Sequence, residues 1–190
     1  LNIPKPSGGP LLVWNRNFRY FKATLLISAF WILLEPLMYL GAIGFGLGAF
    51  VNQINGVAYI DFFFPALLCS TSMLIAFFES TYSSFTKLTH QHTYSTIVLA
   101  PISPEEVILG EILWGATKGL WSAFGVILIA SFFHLVDFKT IWLTLPLLAI
   151  NAWAFSAAGM LVTSMAINYD SFIYATSGII VPMSLFSGTS

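Results

Sequence analysis

The chain has 190 residues, of which 57% are hydrophobic and only 8% charged, with a formal net charge of −1 and a mean hydropathy of +0.85. Soluble domains carry about 25% charged residues, so this composition describes an integral membrane protein, and the charge balance gives no basis for nucleic-acid binding. The single cysteine, Cys69, lies inside an apolar run, which leaves no disulfide framework and no cysteine metal centre.

The opening, LNIPKPSGGP, has no initiator Met and lacks the charged-then-apolar order of a signal peptide. With the abrupt end SLFSGTS, it suggests a piece of a longer membrane domain. Residues 11–22 (LLVWNRNFRYFK) place Leu11, Trp14, Phe18 and Phe21 on one side at helical spacing, with Arg16 and Arg19 off that stripe. That pattern predicts an amphipathic helix lying on a membrane surface. The alternative is a plain N-terminal extension of the first span.

Five hydrophobic spans follow, at 23–49, 59–78, 107–133, 141–165 and 172–185, the last one short. Most reach the ~20 residues that a helix needs to cross a bilayer, and the first four are too long and evenly apolar for barrel strands. The expected fold is all-α, a polytopic helical membrane protein. Lys5, Arg16, Arg19 and Lys22 precede span one, Lys87 follows span two, and the 51–57 loop has no Lys or Arg. This asymmetry predicts a cytoplasmic N-terminus and a cytoplasmic 80–104 loop.

Small residues mark two spans. Gly41, Gly44, Gly46 and Gly48 crowd span one, with Gly44 and Gly48 forming a GxxxG pair, and Ala152 to Gly159 do the same in span four. Close helix approach follows, either inside the bundle or at a face between two subunits. Glu35, followed by Pro36, lies in the middle of span one; it either lines a polar route or joins helices as a structural residue. Glu111 and Lys118 are seven apart on span three and read as polar helix-packing contacts, with snorkelling open to the lysine.

Residues 85–103 form the long polar segment between spans two and three. Thr93 to Leu99 (TYSTIVL) reads as a short helix stopped by Pro101. Ser103, Pro104, Glu105 and Glu106 then supply a capping box, a proline at the first helical position and acids in the first turn. His90 and His92 have no HExxH around them and read as loop histidines. The chain contains no GxxxxGK[ST], so it has no phosphate-binding loop of that kind.

Three blocks carry a family likeness: EPLMYLGAIGFGLG (35–48), LAPISPEEVILGEILWGATKG (99–119) and LVTSMAINYDSF (161–172) leading to VPMSLFSGTS. In that order they resemble the permeases of type-2 ABC exporters, those of nodulation lipo-oligosaccharide and polysaccharide export above all. The resemblance covers residues 14–190 and implies a six-helix permease, of which five spans are present. The chain ends where such permeases continue with an external re-entrant segment and a sixth span. It also implies an entry helix at 11–22, a coupling helix within 85–103, a second permease copy (a homodimer being the expected form), the lipid bilayer of the bacterial inner membrane as its location, and separate ABC ATPase subunits. ATP and Mg would sit on those partners, with no cofactor on this chain. The residues expected to touch the ATPase are Thr93, Tyr94, Ser95, Thr96, Leu99, Pro101 and Ser103. Rival readings are a drug or small-molecule efflux permease of the same family, a membrane enzyme and a non-transporting scaffold. Co-purification of an ATPase separates the transporters from the other two.

Overall fold

The computed structural model describes residues 8–39, 41–42, 46, 53–54, 57–97, 99, 101–132 and 138–184. In chain order these are α1 (Gly9–Ala23), α2 (Leu25–Tyr39), a two-stranded antiparallel hairpin of β1 (Gln53–Ile54) and β2 (Val57–Ala58), α3 (Tyr59–Phe78), a π-helical turn (Glu79–Ser83) and α4 (Ser84–Thr89). Then come α5 (Thr93–Ile97), α6 (Pro104–Phe132), α7 (Phe138–Met165), α8 (Asp170–Ala175), a second π-helical turn (Thr176–Ile180) and α9 (Val181–Ser184). Apart from the small hairpin, the described architecture is helical, as expected.

Three helical stretches, Phe62–Thr89, Pro104–Ser131 and Ile141–Met165, are long and apolar enough to cross a membrane. They correspond to the second, third and fourth predicted spans. α2 covers residues 25–39 of the first predicted span, whose remainder lies largely outside the described residues, and the stretch from α8 to α9 overlaps the fifth. Gly44 and Gly48 lie outside the described residues.

α3, α6 and α7 pack on one another, and α1 lies along α6. The core follows from helical spacing. Tyr59, Phe63, Phe64, Leu67 and Leu68 of α3 meet Ala123, Val126, Ile127 and Ala130 of α6 and Leu148 of α7. Residues three and four apart share a helix face, so each run presents one stripe to its neighbours.

Nearer the polar end the contact is made by small residues. Ala76, Ala116 and Ala152 are buried together. Added Cβ atoms would meet the Ser72 carbonyl oxygen at 2.7 Å from Gly119, and the Phe77 carbonyl oxygen at 2.9 Å from Gly159. Backbones that close leave no room for side chains. The Ala152–Gly159 run therefore serves packing within the bundle at Ala152, Ser156 and Gly159, whereas Ala154 and Ala158 are exposed.

Hydroxyls lock the same junction. The Ser80 and Ser156 hydroxyl oxygens are 2.7 Å apart, and Ser156 also donates to the Ile112 carbonyl at 2.8 Å. Thr163 donates to the Ser80 carbonyl at 2.7 Å. Ser80 belongs to the π-helical turn, and such wide turns inside helices often accompany functional sites.

Gly119→Ala is expected to destabilise the protein by about 1–3 kcal/mol, the usual cost of overpacking. Gly178→Ala, where a Cβ meets nothing within 4 Å, is expected to change stability by less than about 0.5 kcal/mol. Thermal unfolding of both variants in detergent measures the difference.

Candidate functional site

Along α6, Glu111, Trp114, Lys118 and Trp121 recur at intervals of three and four residues, which puts them on one stripe. α1 lies over that stripe. Phe21 stands edge-on to Trp114 and Trp121, with ring centroids 5.7 and 5.4 Å away, and Trp14 stacks on Phe18 and meets Trp114. The Trp14 indole N–H donates to Thr117 Oγ1 at 3.0 Å. Gly110 lets the two helices close, since a Cβ there would lie 2.6 Å from Val13 Cβ.

The buried face of α1 differs from the predicted stripe. It comprises Gly9, Val13, Asn17 and Phe21, with Trp14 and Phe18 half-buried, whereas Leu11 is 65% exposed. Arg16, expected to point away from the apolar side, reaches into the bundle because a buried carboxylate waits there.

That carboxylate is Glu111, whose side chain is 0% exposed. It accepts hydrogen bonds from Arg16 Nη2 at 2.9 Å on Oε1, and from Asn17 Nδ2 at 3.0 Å and Lys87 Nζ at 2.7 Å on Oε2. An isolated buried carboxylate is costly, and several charge-assisted bonds are what make this one tolerable. The donors come from α1 and α4, so one side chain of α6 ties three helices together.

A second acid lies beside it. Glu79, the first residue of the π-helical turn, accepts from the Trp114 indole at 2.7 Å and from Lys118 Nζ at 2.9 Å. Lys118 also stands over the rings of Phe21 and Trp114, at 5.6 and 5.8 Å, a cation–π arrangement. Glu111 and Lys118 thus act as packing contacts, as read from the sequence, yet each pairs with another helix. Glu35 falls within α2, and its side chain lies outside the described residues.

Among the described residues of the predicted 85–103 loop, Ser84–Thr89 continues the preceding helix as α4, while α5 and the capping box fall where the sequence signals put them. His92 has a φ of 47°, a left-handed conformation that turns the chain between α4 and α5. His90 stacks on Tyr169 at 5.8 Å. The capping box is reciprocal: the Ser103 backbone N–H donates to Glu106 Oε2 at 2.9 Å, and the Glu106 N–H donates to Ser103 Oγ at 3.3 Å.

The seven loop residues divide into two groups. Ser95, Thr96, Leu99 and Pro101 are exposed, Leu99 at 88%. Thr93, Tyr94 and Ser103 are half-buried. The Tyr94 hydroxyl is enclosed near Ser84 and the Glu111 carboxylate without completing a hydrogen bond. Burial, then the charge of Glu111, pushes that phenol up from its ordinary range, so it stays neutral.

Sequence reading missed Arg16, Asn17, Lys87 and the Glu79–Trp114 contact. The signal was present: a polar Asn17 in an otherwise apolar face, and a charged-aromatic alternation at helical spacing on α6.

Comparison with known proteins now bears on this arrangement. A family model described as ABC-2 type transporter matches residues 11–190. The chain belongs to the ABC-2 type transporter family. It is similar to Nodulation protein J of Rhizobium leguminosarum bv. viciae, with 32% identity covering 96% of this chain and 71% of that protein. Nodulation protein J of Rhizobium meliloti (strain 1021) is also 32% identical, over 98% of this chain and 71% of its own length. The inner membrane transport permease YadH of Escherichia coli (strain K12) is 23% identical over 93% of this chain and 68% of its own length. No solved structure matches the chain. The ABC-2 match is to the membrane component of transporters, in keeping with the apolar helices, and it includes the whole Glu111 and Glu79 cluster.

In this ABC-2 chain the Glu111 bonds are expected to be coupled energetically. A double-mutant cycle with Lys87→Met and Glu111→Gln should give a coupling of about 1–3 kcal/mol, the value of a buried charge-assisted bond. Denaturant unfolding in micelles, read as additive or not, decides it.

Proposed function

We propose that this chain is the permease subunit of an ATP-driven exporter, working as a pair of permease copies with separate ABC ATPase subunits that hold ATP and Mg. The substrate class is a (lipo-)oligosaccharide, polysaccharide or other amphiphile leaving the cytoplasm of a bacterial cell. Family membership supports the transporter class, and the resemblance to nodulation and polysaccharide exporters supports the substrate class.

One observation carries the mechanism. A short helix, α5, hangs between the ends of two membrane-crossing helices with Ser95, Thr96 and Leu99 turned outward. Leu99 is a large apolar side chain in the open, with surface that a groove on another protein would bury. The capping box and Pro104 fix the first turn of α6. A push that reaches Ser103 is therefore taken up by α6 as a whole.

Glu111 then passes it on. It lies two turns into α6 and holds α1 through Arg16 and Asn17 and the end of α3–α4 through Lys87. ATPase closure against the exposed strip moves these three helices as one body. The basic residues before span one and after span two support a cytoplasmic location for this end, where the ATPase would be.

Leu99→Glu is expected to lower ATPase pull-down or transport by at least about tenfold, roughly 1.4 kcal/mol of lost contact, with the spans still inserted. Ser103→Ala should cost about 1 kcal/mol of local helix stability and act more mildly. Tyr94, turned inward, should tolerate Phe and not Glu. Intact pull-down and transport in Leu99→Glu would remove the coupling role. Accumulation of a small apolar drug instead of a saccharide would shift the substrate class.

Orientation has its own check. A cysteine replacing exposed His90 is expected to resist a membrane-impermeant thiol reagent on intact cells and to react after permeabilisation. Ready labelling from outside reverses the topology.

A further inference from the structure

A cavity of about 390 Å³ opens between α1, the start of α2, the end of the Phe62–Thr89 stretch and α6. Its walls carry Arg16, Lys87 and Lys118. Glu79 also lines it, and Glu111 stands directly behind, bonded to two of the wall residues. Three cations thus face two carboxylates, which leaves the walls one positive charge in excess.

Hydrogen-bond donors are in excess as well. Arg16 Nη1 is buried with no partner among the described residues. Lys87 and Lys118 each donate one hydrogen bond there, although an ammonium carries three N–H groups. Arg16 Nη1 is enclosed on the side of the buried Tyr94 hydroxyl, so the donors open to the cavity are the remaining N–H groups of Lys87 and Lys118, which suit an acceptor rich in oxygen and negatively charged.

Depth narrows the choice. The Pro104–Ser131 stretch has 28 residues, about 42 Å of helix against a hydrocarbon core of about 30 Å. Its first turns therefore stand at the headgroup level, and Lys87, bonded to Glu111 two turns in, lies near the same end of the Phe62–Thr89 stretch. Lys118, deeper on α6, keeps its ammonium on Glu79 in the cavity wall.

The geometry points to a binding site for the phosphate group of a membrane amphiphile, held by Lys87 and Lys118 with Arg16 in the same wall. Neutral sugars fit less well, because the Trp114 ring in the wall is buried and already covered by Phe21 and Trp14. This site is independent of the export reading: it requires only the cavity and its charges.

The test uses the full chain in nanodiscs of phosphatidylcholine and phosphatidylglycerol in equal amounts, extracted into mild detergent, with retained lipid measured by mass spectrometry. Phosphatidylglycerol should be retained about tenfold over phosphatidylcholine, the discrimination expected from a charge-assisted hydrogen bond or two. Lys118→Gln should abolish that preference and Lys118→Arg preserve it. Because Lys118→Gln also unpairs Glu79, a second variant avoids the ion pairs. Gln91 is exposed at the rim of the cavity, so Gln91→Glu should weaken retention by repulsion without altering thermal unfolding, and Gln91→Lys should not weaken it.

Sodium pyrophosphate added to the same samples distinguishes the source of the phosphate. Displacement of bound phosphatidylglycerol places both in one site. Retention of pyrophosphate without phosphatidylglycerol assigns the site to a phosphate carried on a soluble molecule. Equal retention of the two lipids with no pyrophosphate bound, or a preference for phosphatidylglycerol unchanged in both Lys118→Gln and Gln91→Glu, overturns the proposal.

Discussion

The polar end of this molecule depends on one carboxylate. Glu111 is out of contact with solvent, and its charge is met by Arg16, Asn17 and Lys87, donors from two other helices. Removing one partner of a buried pair is far more costly than the net value of the pair, because the remaining charge is stranded. The position of α1 on α6, and of α4 beside both, is therefore set by a requirement to keep Glu111 neutralised. Everything that touches α5 is built on that frame, including the Tyr94 hydroxyl enclosed beside Glu111.

A few residues away, the problem is solved with small side chains. Gly115, Gly119, Ala152, Ser156 and Gly159 bring α3, α6 and α7 into close contact, and the serine and threonine hydroxyls bridge the backbones. Apolar side chains gain little by leaving lipid for a protein interior, so close backbone packing and interhelical hydrogen bonds carry the association. The two devices are complementary. Small residues fix the distance between helices, and the ion pairs fix which helix faces which.

Much of this was legible in advance. The capping box at Ser103 and Glu106 is a local signal, four residues long, and the structure reproduces both of its bonds. The three long apolar stretches were equally plain, because length and composition decide them without knowledge of neighbours. Arg16 was harder to read. Its spacing placed it off the apolar stripe, and only the presence of Glu111 some ninety residues away turns it inward. The π-helical turn at Glu79–Ser83 leaves no composition signal either; its widened geometry coincides with the Ser80 and Glu79 contacts across the bundle. Local chemistry is written in neighbouring residues, whereas a partner for a buried charge is a property of the fold.

Stability alone does not account for charges in this place. A buried ion pair is often matched or exceeded by well-packed apolar residues of the same volume, and its best-attested use is to specify register. The spacing on α6 suits that use. Glu111 and Lys118 carry opposite signs two turns apart on one stripe, and α1 brings a single cation, Arg16, to the acid. The aromatic contacts of Phe21 with Trp114 and Trp121 could be remade by similar rings at another register, since stacking discriminates weakly. A slip of α1 by two turns along α6 could not be accommodated: it would bring Arg16 toward Lys118 and leave Glu111 with fewer donors. Aromatic rings hold α1 to α6, and the charges determine where along α6 it is held. Under the coupling role proposed for α5, in which a push must reach a fixed set of helices, register is the property that matters most.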